Sequence, residues 1–245
     1  MENDFSGSAQ YYDIILGKDN FRKHAQFVSK LLKKYKVKSV LELGCGSGLY
    51  LFPLKKLGFK IDGLDISKEM LYLARKQDKK IKLYQEDMSK FKINKKYDSI
   101  ICLNSSLVLL PNFKLIEKTL RNCYKHLNKN GILLLDLPNH YKEIKESNFS
   151  QEKETYKIKN GTLEVIFRDY KKNNKWVSEW FGFVKQKNNF SNFHEYYEEL
   201  IYSPKELEKS LKNLGFKVLN VFGSRRGGTF DKNKSYRRFY VCQKF

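Results

Sequence analysis

The stretch Val40-Leu41-Glu42-Leu43-Gly44-Cys45-Gly46-Ser47-Gly48 decides how the rest of the chain reads. An apolar run ends in three glycines at alternate positions, and a helix-compatible segment, residues 49–57, follows. A strand that feeds a helix through such a turn leaves backbone N–H groups free, and the absent Cβ atoms let a ligand approach the main chain. The dinucleotide fingerprint G-x-G-x-x-G needs a glycine where this chain has Leu49, so the pyrophosphate-binding form of the turn is missing.

Outward from the turn, strand and helix signals alternate. Residues 38–43 read as the first strand, 60–65 as the second after a helix that stops at Gly58, 81–86 as the third and 97–103 as the fourth. Ser67 stands as an N-cap with Met70, Leu71 and Ala74 facing inward; a second helix covers 112–127, and Asn130-Gly131 turns the chain into a fifth strand, 132–137. Strands alternating with helices predict βαβ units and a parallel sheet, and the continuous apolar character of strands four and five fits burial on both faces.

Ahead of this core, residues 1–19 carry no regular signal, and 20–35 read as an amphipathic helix capped by Asn20, with Phe21, Ala25, Val28, Leu31 and Leu32 on one face. Behind it, 154–159, 162–170, 175–187 and 192–202 are strand-like, with turn signals at Asn160-Gly161, 171–174 and 187–189. Ser203 and Pro204 then open a helix that ends at Gly215, and 216–222 and 237–243 supply two more strands. The expected architecture is α/β and Rossmann-like: a seven-stranded, mostly parallel sheet whose last strand is antiparallel, plus an antiparallel β insertion after strand five. As one domain it divides into a cap and helix (1–37), a core (38–140), the insertion (150–202) and a C-terminal helix with the last two strands (203–245).

Composition bounds the function. The 245 residues, 41% hydrophobic and 15% aromatic, suffice for a sizeable core. No apolar run approaches the ~20 residues of a membrane span, and the start MENDFSGSAQ does not read as a signal peptide. Cys45, Cys102, Cys123 and Cys242 form no C-x-x-C pair and read as reduced packing residues of a cytoplasmic protein. His24, His126 and His194 lack metal-ligand spacing, so no metal site is expected. A net charge of +21 suggests nucleic acid, yet the lysines are scattered along the whole chain rather than gathered into a phosphate-binding face. Neither nucleic acid nor membrane is the expected partner; a small molecule is.

The E-x-G-x-G-x-G of Glu42–Gly48 resembles motif I of the class I S-adenosylmethionine (SAM)-dependent methyltransferases. Later positions keep the register. Asp65 ends the second strand, where an acid can accept hydrogen bonds from both ribose hydroxyls. Asp87-Met88 follows the third strand, where the resemblance implies a carboxylate for the adenine amino group and an apolar neighbour on the ring. Asn104-Ser105-Ser106-Leu107 leaves the fourth strand where that family lines its methyl-donor pocket; the [DN]-P-P-[YF] of nucleic-acid amino-methyltransferases is absent. The resemblance implies a SAM site, with S-adenosylhomocysteine (SAH) as product, built from Glu42, Gly44, Cys45, Gly46, Gly48, Asp65, Ile66, Met70, Asp87, Met88, Leu103 and Asn104.

A narrower resemblance concerns the ends of the chain. Tyr12-Asp13-Ile14-Ile15-Leu16-Gly17-Lys18-Asp19 is similar to the amino terminus of nucleotide-sugar N,N-dimethyltransferases, and Arg237-Arg238-Phe239-Tyr240-Val241 to their Arg-containing last strand. It implies that Tyr11 or Tyr12 reaches over the cofactor, with Tyr12 as a catalytic candidate. His140, after strand five, could orient or deprotonate an acceptor. Trp176, Trp180, Phe181, Phe183, Tyr196 and Tyr197 are strand-spaced aromatics of the kind that form a sheet core or a homodimer surface, with Trp180 the substrate-facing candidate. Arg225 and Arg226, in the loop before the last strand, offer planar forks for an acceptor's phosphate or carboxylate. No catalytic dyad stands out, which favours an amine acceptor, since a neutral amine needs no strong base before attack. The favoured activity is N-methylation of a small molecule, a nucleotide-linked amino sugar included; an RNA or peptide methyltransferase and a non-catalytic SAM-binding module are the alternatives.

Overall fold

A computed structural model describes residues 7–187 and 189–245; the polar start at 1–6 and one position of the last hairpin turn of the insertion lie outside the described residues. The chain opens with α1 (Ala9–Ile15) and α2 (Lys18–Lys34), then builds β1 (Ser39–Leu43), α3 (Leu51–Lys56), β2 (Lys60–Asp65), α4 (Lys68–Gln77), β3 (Leu83–Gln85), β4 (Tyr97–Cys102), α5 (Phe113–His126) and β5 (Leu127–Pro138). After α6 (His140–Glu146) come the insertion strands β6 (Phe149–Ile158), β7 (Gly161–Lys172), β8 (Lys175–Gln186) and β9 (Asn189–Leu200). The chain closes with α7 (Pro204–Asn213), β10 (Phe216–Phe222) and β11 (Arg237–Lys244).

Seven strands form one sheet in the order β10-β11-β5-β4-β1-β2-β3. β1 to β5 pair in parallel, β11 runs antiparallel to β5, and β10 antiparallel to β11. Alternation along each strand feeds two cores. Val40, Ile132 and Leu134 pack with α2 and α3, while Leu41, Leu43, Leu133 and Leu135 pack with α5 and α7. Both faces are therefore dry, as a parallel sheet flanked by helices requires. Helix starts are set locally: Ser67 Oγ accepts from Met70 N–H at 3.2 Å and Asn112 Oδ1 from Leu115 N–H at 3.1 Å. Each such cap stabilises its helix by about 1 kcal/mol.

The second sheet, β6-β7-β8-β9, is antiparallel throughout. Leu163, Val165, Trp180 and Val184 on its inner face pack against Tyr11 and Ile15 of α1. This contact explains the first departure from the sequence reading, which left 1–19 irregular. A seven-residue helix is marginal alone and is held by tertiary packing. Another departure is at α2, which begins at Lys18 behind Gly17 (φ 72°) and is not capped by an Asn20 side chain; Asn20 N–H instead donates to Gly17 O at 3.1 Å. β5 begins at Leu127 because that residue pairs with Tyr97 ahead of a bulge. α6 also went unread, and Ser203 makes no side-chain cap, although Pro204 does open α7. All four cysteines are buried.

Candidate active site

The carboxyl ends of β1, β2, β4 and β5 meet at one edge of the large sheet, and the glycine turn lies at its centre. Gly44 has φ 67°, and a Cβ there would stand 2.6 Å from the Ser106 Cβ. Gly46 has φ 52°, and a Cβ there would meet nothing within 4 Å. Thus Gly44 is small because protein packs on it, whereas Gly46 leaves an open cradle. Asp65 tightens the turn: its Oδ2 accepts from Gly46 N–H at 2.7 Å and its Oδ1 from Ser67 N–H at 2.9 Å. Burial raises the Asp65 pKa, and the backbone donors of Ser67, Gly46 and Ile66 oppose that rise. α1 is latched to the same turn by a hydrogen bond from Ser47 Oγ to Asp13.

The other positions expected around a donor cofactor fall into three settings. Cys45, Met70 and Leu103 are buried beneath the edge; Ile66 is 65% exposed on its rim. Asp87 is half-buried, with Oδ1 accepting from Ser89 N–H at 2.7 Å and Lys90 Nζ 3.6 Å from its Oδ2. Met88 packs beside Gly44, its Cε 3.5 Å from where a Cβ of that residue would be. Glu42 is 2% exposed, and its Oε2 has no hydrogen-bond partner. Burial first, then the Asp65 charge, raise the Glu42 pKa well above the carboxylate range. An orphaned buried carboxyl oxygen beside an open glycine cradle fits a ligand bearing donors, as the ribose and amino groups of SAM do.

A buried ion cluster closes the opposite side of the edge. Asp136, in the middle of an otherwise apolar β5 stretch, is 0% exposed and binds two guanidinium groups, Arg225 Nε at 2.6 Å and Arg237 Nε at 2.8 Å. Burial raises its pKa, but Arg237 and Arg225 together outweigh that and hold it below the usual value. Arg225 also donates to Asn104 Oδ1 at 2.7 Å, and Arg237 to Ser105 Oγ at 3.0 Å. Asn104 and Ser105 both adopt left-handed φ, 53° and 65°, and their N–H groups donate to Asp136 Oδ2 and O. Two consecutive non-glycine residues in that region mark a strained corner of the kind found at functional sites. The Arg225 fork, expected to meet an acceptor's phosphate or carboxylate, is engaged within the chain: Nε by Asp136 and Nη2 by Asn104. Arg226 is exposed, its N–H donating to Ser224 Oγ at 3.1 Å.

The inner face of the second sheet and α1 cover this edge. Tyr12 stacks on Trp180 at 6.2 Å between ring centroids, and Asn104 hydrogen-bonds its hydroxyl. Burial, reinforced by Asp65 and Asp13, keeps the Tyr12 phenol protonated well above its ordinary range. Tyr11 packs on Phe193. Trp180, 6% exposed, is edge-on to Tyr197 at 5.7 Å and Phe167 at 5.5 Å, so it is core and wall at once. His140 is not a solvated loop residue: it opens α6, is 6% exposed, and has Nδ1 2.7 Å from Glu143 Oε2. Glu199 of β9 lies 3.4 Å from His140 Nε2 and is hydrogen-bonded by Ser105.

Sequence reading missed Asp136, Glu199, the pairing role of Arg237, and the bonds that Asp13 and Ser105 make here. Asp136 carried a signal, a lone charge inside an apolar strand, which is tolerable only when paired. Glu199 carried none.

Comparison with known proteins agrees with this geometry. The model of a methyltransferase domain matches residues 40–131. A putative methyltransferase of Geobacillus sp. strain WCH70 is 29% identical over 145 residues, 56% of this chain and 59% of its own. The dTDP-3-amino-3,6-dideoxy-alpha-D-glucopyranose N,N-dimethyltransferase of Streptomyces fradiae is 27% identical over 139 residues, 54% of each chain. The chain thus spans little more than half the length of these two curated relatives. The SAM-bound structure of CalS10, an amino pentose methyltransferase from Micromonospora echinaspora, superposes with a TM-score of 0.81 at 17% identity, covering 96% of this chain and 97% of that one. Residues 40–131 match a methyltransferase domain, and the whole chain shares the class I, Rossmann-like fold of the SAM-bound CalS10 structure.

Proposed function

We propose that the protein transfers a methyl group from SAM to an amine nitrogen of a small-molecule acceptor, with amino sugars the acceptor class that the named relatives suggest. The observation that carries the reading is the packing of α1 and the inner face of the second sheet over the donor edge, through Tyr11, Ile15, Trp180 and Val184. A covered edge admits a small molecule more readily than a folded RNA. The net charge does not argue otherwise, because the ionisable side chains turned toward this edge include Asp65, Asp136 and Glu199, with Arg225 and Arg237 paired to Asp136. Among the described residues no helix is long and apolar enough to cross a membrane.

When bound, SAM supplies an electrophilic methyl group on a sulfonium. The chain's part is to hold donor and acceptor in line and to exclude water. In this reading Gly46 lets the backbone approach the donor, Asp65 takes the ribose hydroxyls by exchanging its bond to Gly46, and Ile66 and Met88 flank the adenine beside Asp87. Glu42 meets the donor through its orphaned oxygen. Tyr12, kept as a neutral phenol, orients the reacting groups from above.

The test is calorimetric. SAM and SAH should bind and NAD should not, and Asp65→Ala should weaken SAM by about ten- to a hundredfold, the loss of a charge-assisted hydrogen bond of roughly 1.5–3 kcal/mol. Unchanged SAM affinity in that variant would remove Asp65 from the site.

A further inference from the structure

The insertion sheet does more than cover the donor edge. Its inner face brings Asp169 of β7, Ser178 of β8 and Tyr197 and Glu199 of β9 together with His140 and Glu143 of α6. Asp169 is taken by the Ser178 hydroxyl. Glu195, next along the same face, is taken by the Ser8 N–H. Glu199 is different. Ser105 donates to it, and its Oε2 is 3.4 Å from a His140 Nε2 that is buried and makes no hydrogen bond. The imidazole is held in place by Glu143 on one nitrogen and by stacking on Trp176, with centroids 6.1 Å apart. A buried ring nitrogen left without a hydrogen bond beside a half-buried carboxylate marks polar capacity that the fold itself does not use.

The cations at this edge point the same way. Arg225 and Arg237 both spend Nε on Asp136; Arg225 Nη2 donates to Asn104 Oδ1, and the two terminal nitrogens of Arg237 donate to Ser105 Oγ and the Asp136 carbonyl. A phosphate would compete with a fully buried carboxylate for both forks, whereas a cation meets a carboxylate, Glu199, that forms no ion pair with a Lys or Arg among the described residues, and aromatic rings beside it.

We propose that Glu199 is the acceptor-recognition residue, and that the acceptor is an unphosphorylated small molecule whose ammonium group docks between Glu199 and the aromatic wall of Trp176 and Tyr197. The proposal rests on the N-methylation reading above and narrows it. A docked ammonium must shed one proton before its nitrogen has a lone pair. Glu199 is the adjoining base: the N–H bond breaks, an O–H bond forms, and the two charges cancel, with His140 Nε2 behind Glu199 as the next stop for the proton.

The chain has two tryptophans, Trp176 and Trp180, both on the site-facing side of β8, so tryptophan emission reports this wall directly. With SAH present, benzylamine and the methyl glycoside of 3-amino-3,6-dideoxyglucose are titrated against the protein, and thymidine diphosphate is added as competitor. At least one free amine should shift the emission saturably, Glu199→Gln should weaken it by about tenfold or more, Glu199→Asp should recover part of the loss, and thymidine diphosphate should neither bind nor compete. Binding or competition by thymidine diphosphate, an affinity unmoved by Glu199→Gln, or no response to either amine would overturn the proposal. Turnover keeps the two readings apart. Methylation of the dTDP-linked amine but not the free one defeats this inference alone, whereas methylation of the 3-hydroxy analogue in place of either amine defeats N-methylation itself.

Discussion

The two walls of the site are built on opposite plans. The donor wall, at the ends of β1 and β2, is mostly backbone: N–H groups of a glycine turn, one carboxylate that ties them together, and an open cradle at Gly46. The proposed acceptor wall, on β8 and β9, is side chain: indole, phenol and carboxylate projecting from antiparallel strands, with the His140 imidazole of α6 against them. A backbone wall tolerates little change, because the main chain has few ways to make that turn. A side-chain wall on regular strands can be rewritten one residue at a time without disturbing the pairing beneath it. The contrast assigns a generic task to the first wall and specificity to the second.

Asp136 stands where the two walls join, and its removal gives the largest expected effect. Asp136→Asn leaves two guanidinium groups facing an amide in a fully buried setting. Breaking such a pair costs roughly 3–5 kcal/mol, which urea unfolding would read as a lower midpoint with an unchanged slope. A loss under about 1 kcal/mol would mean that Arg225 and Arg237 find water instead, and the two walls would then be independent.

Next come the glycines. Gly44→Ala drives a Cβ to 2.6 Å from Ser106 at a φ of 67°, and such overpacking costs about 1–3 kcal/mol of stability. Gly46→Ala, at a φ of 52° with open space around it, keeps the strain but not the clash, so it should cost less stability while weakening SAM binding. Thermal melts and SAM titrations of the pair separate packing from ligand approach. Equal stability losses, with SAM affinity intact in Gly46→Ala, would refute the cradle.

The smallest effect is a pH slope. Burial, then Arg225, lower the His24 pKa to about 4 from 6.5, while Asp136 opposes them. The folded state thus resists a proton that the unfolded chain accepts. Stability is unaffected above about pH 6.5, falls as pH drops through the window to about 4, and levels off below it. His24→Gln should flatten that part of the profile; an identical slope in the variant would place its origin elsewhere.

The strand ends assigned to the donor were legible in the sequence because local code specifies them: the glycines, Asp65 and Asp87 each stand at or just past the end of a strand, and strand order brings these ends to one edge. α1 was not legible, since its stability comes from an insertion face more than a hundred positions away. Glu199, and its meeting with Ser105, were invisible for the same reason, as strand pairing and a left-handed corner bring them together. For Arg225 the position in the loop could be inferred from strand order; its partner Asp136 could not.

The most direct test of the division into two walls is hydrogen exchange read in two steps, first with SAH and then with SAH plus a free amine. The account predicts that SAH slows exchange in residues 42–48 and 63–67 and leaves β8 and β9 nearly unchanged, and that the amine then slows exchange around 176–180 and 195–199. Protection of β8 and β9 by SAH alone, or of the glycine turn by the amine alone, would contradict it.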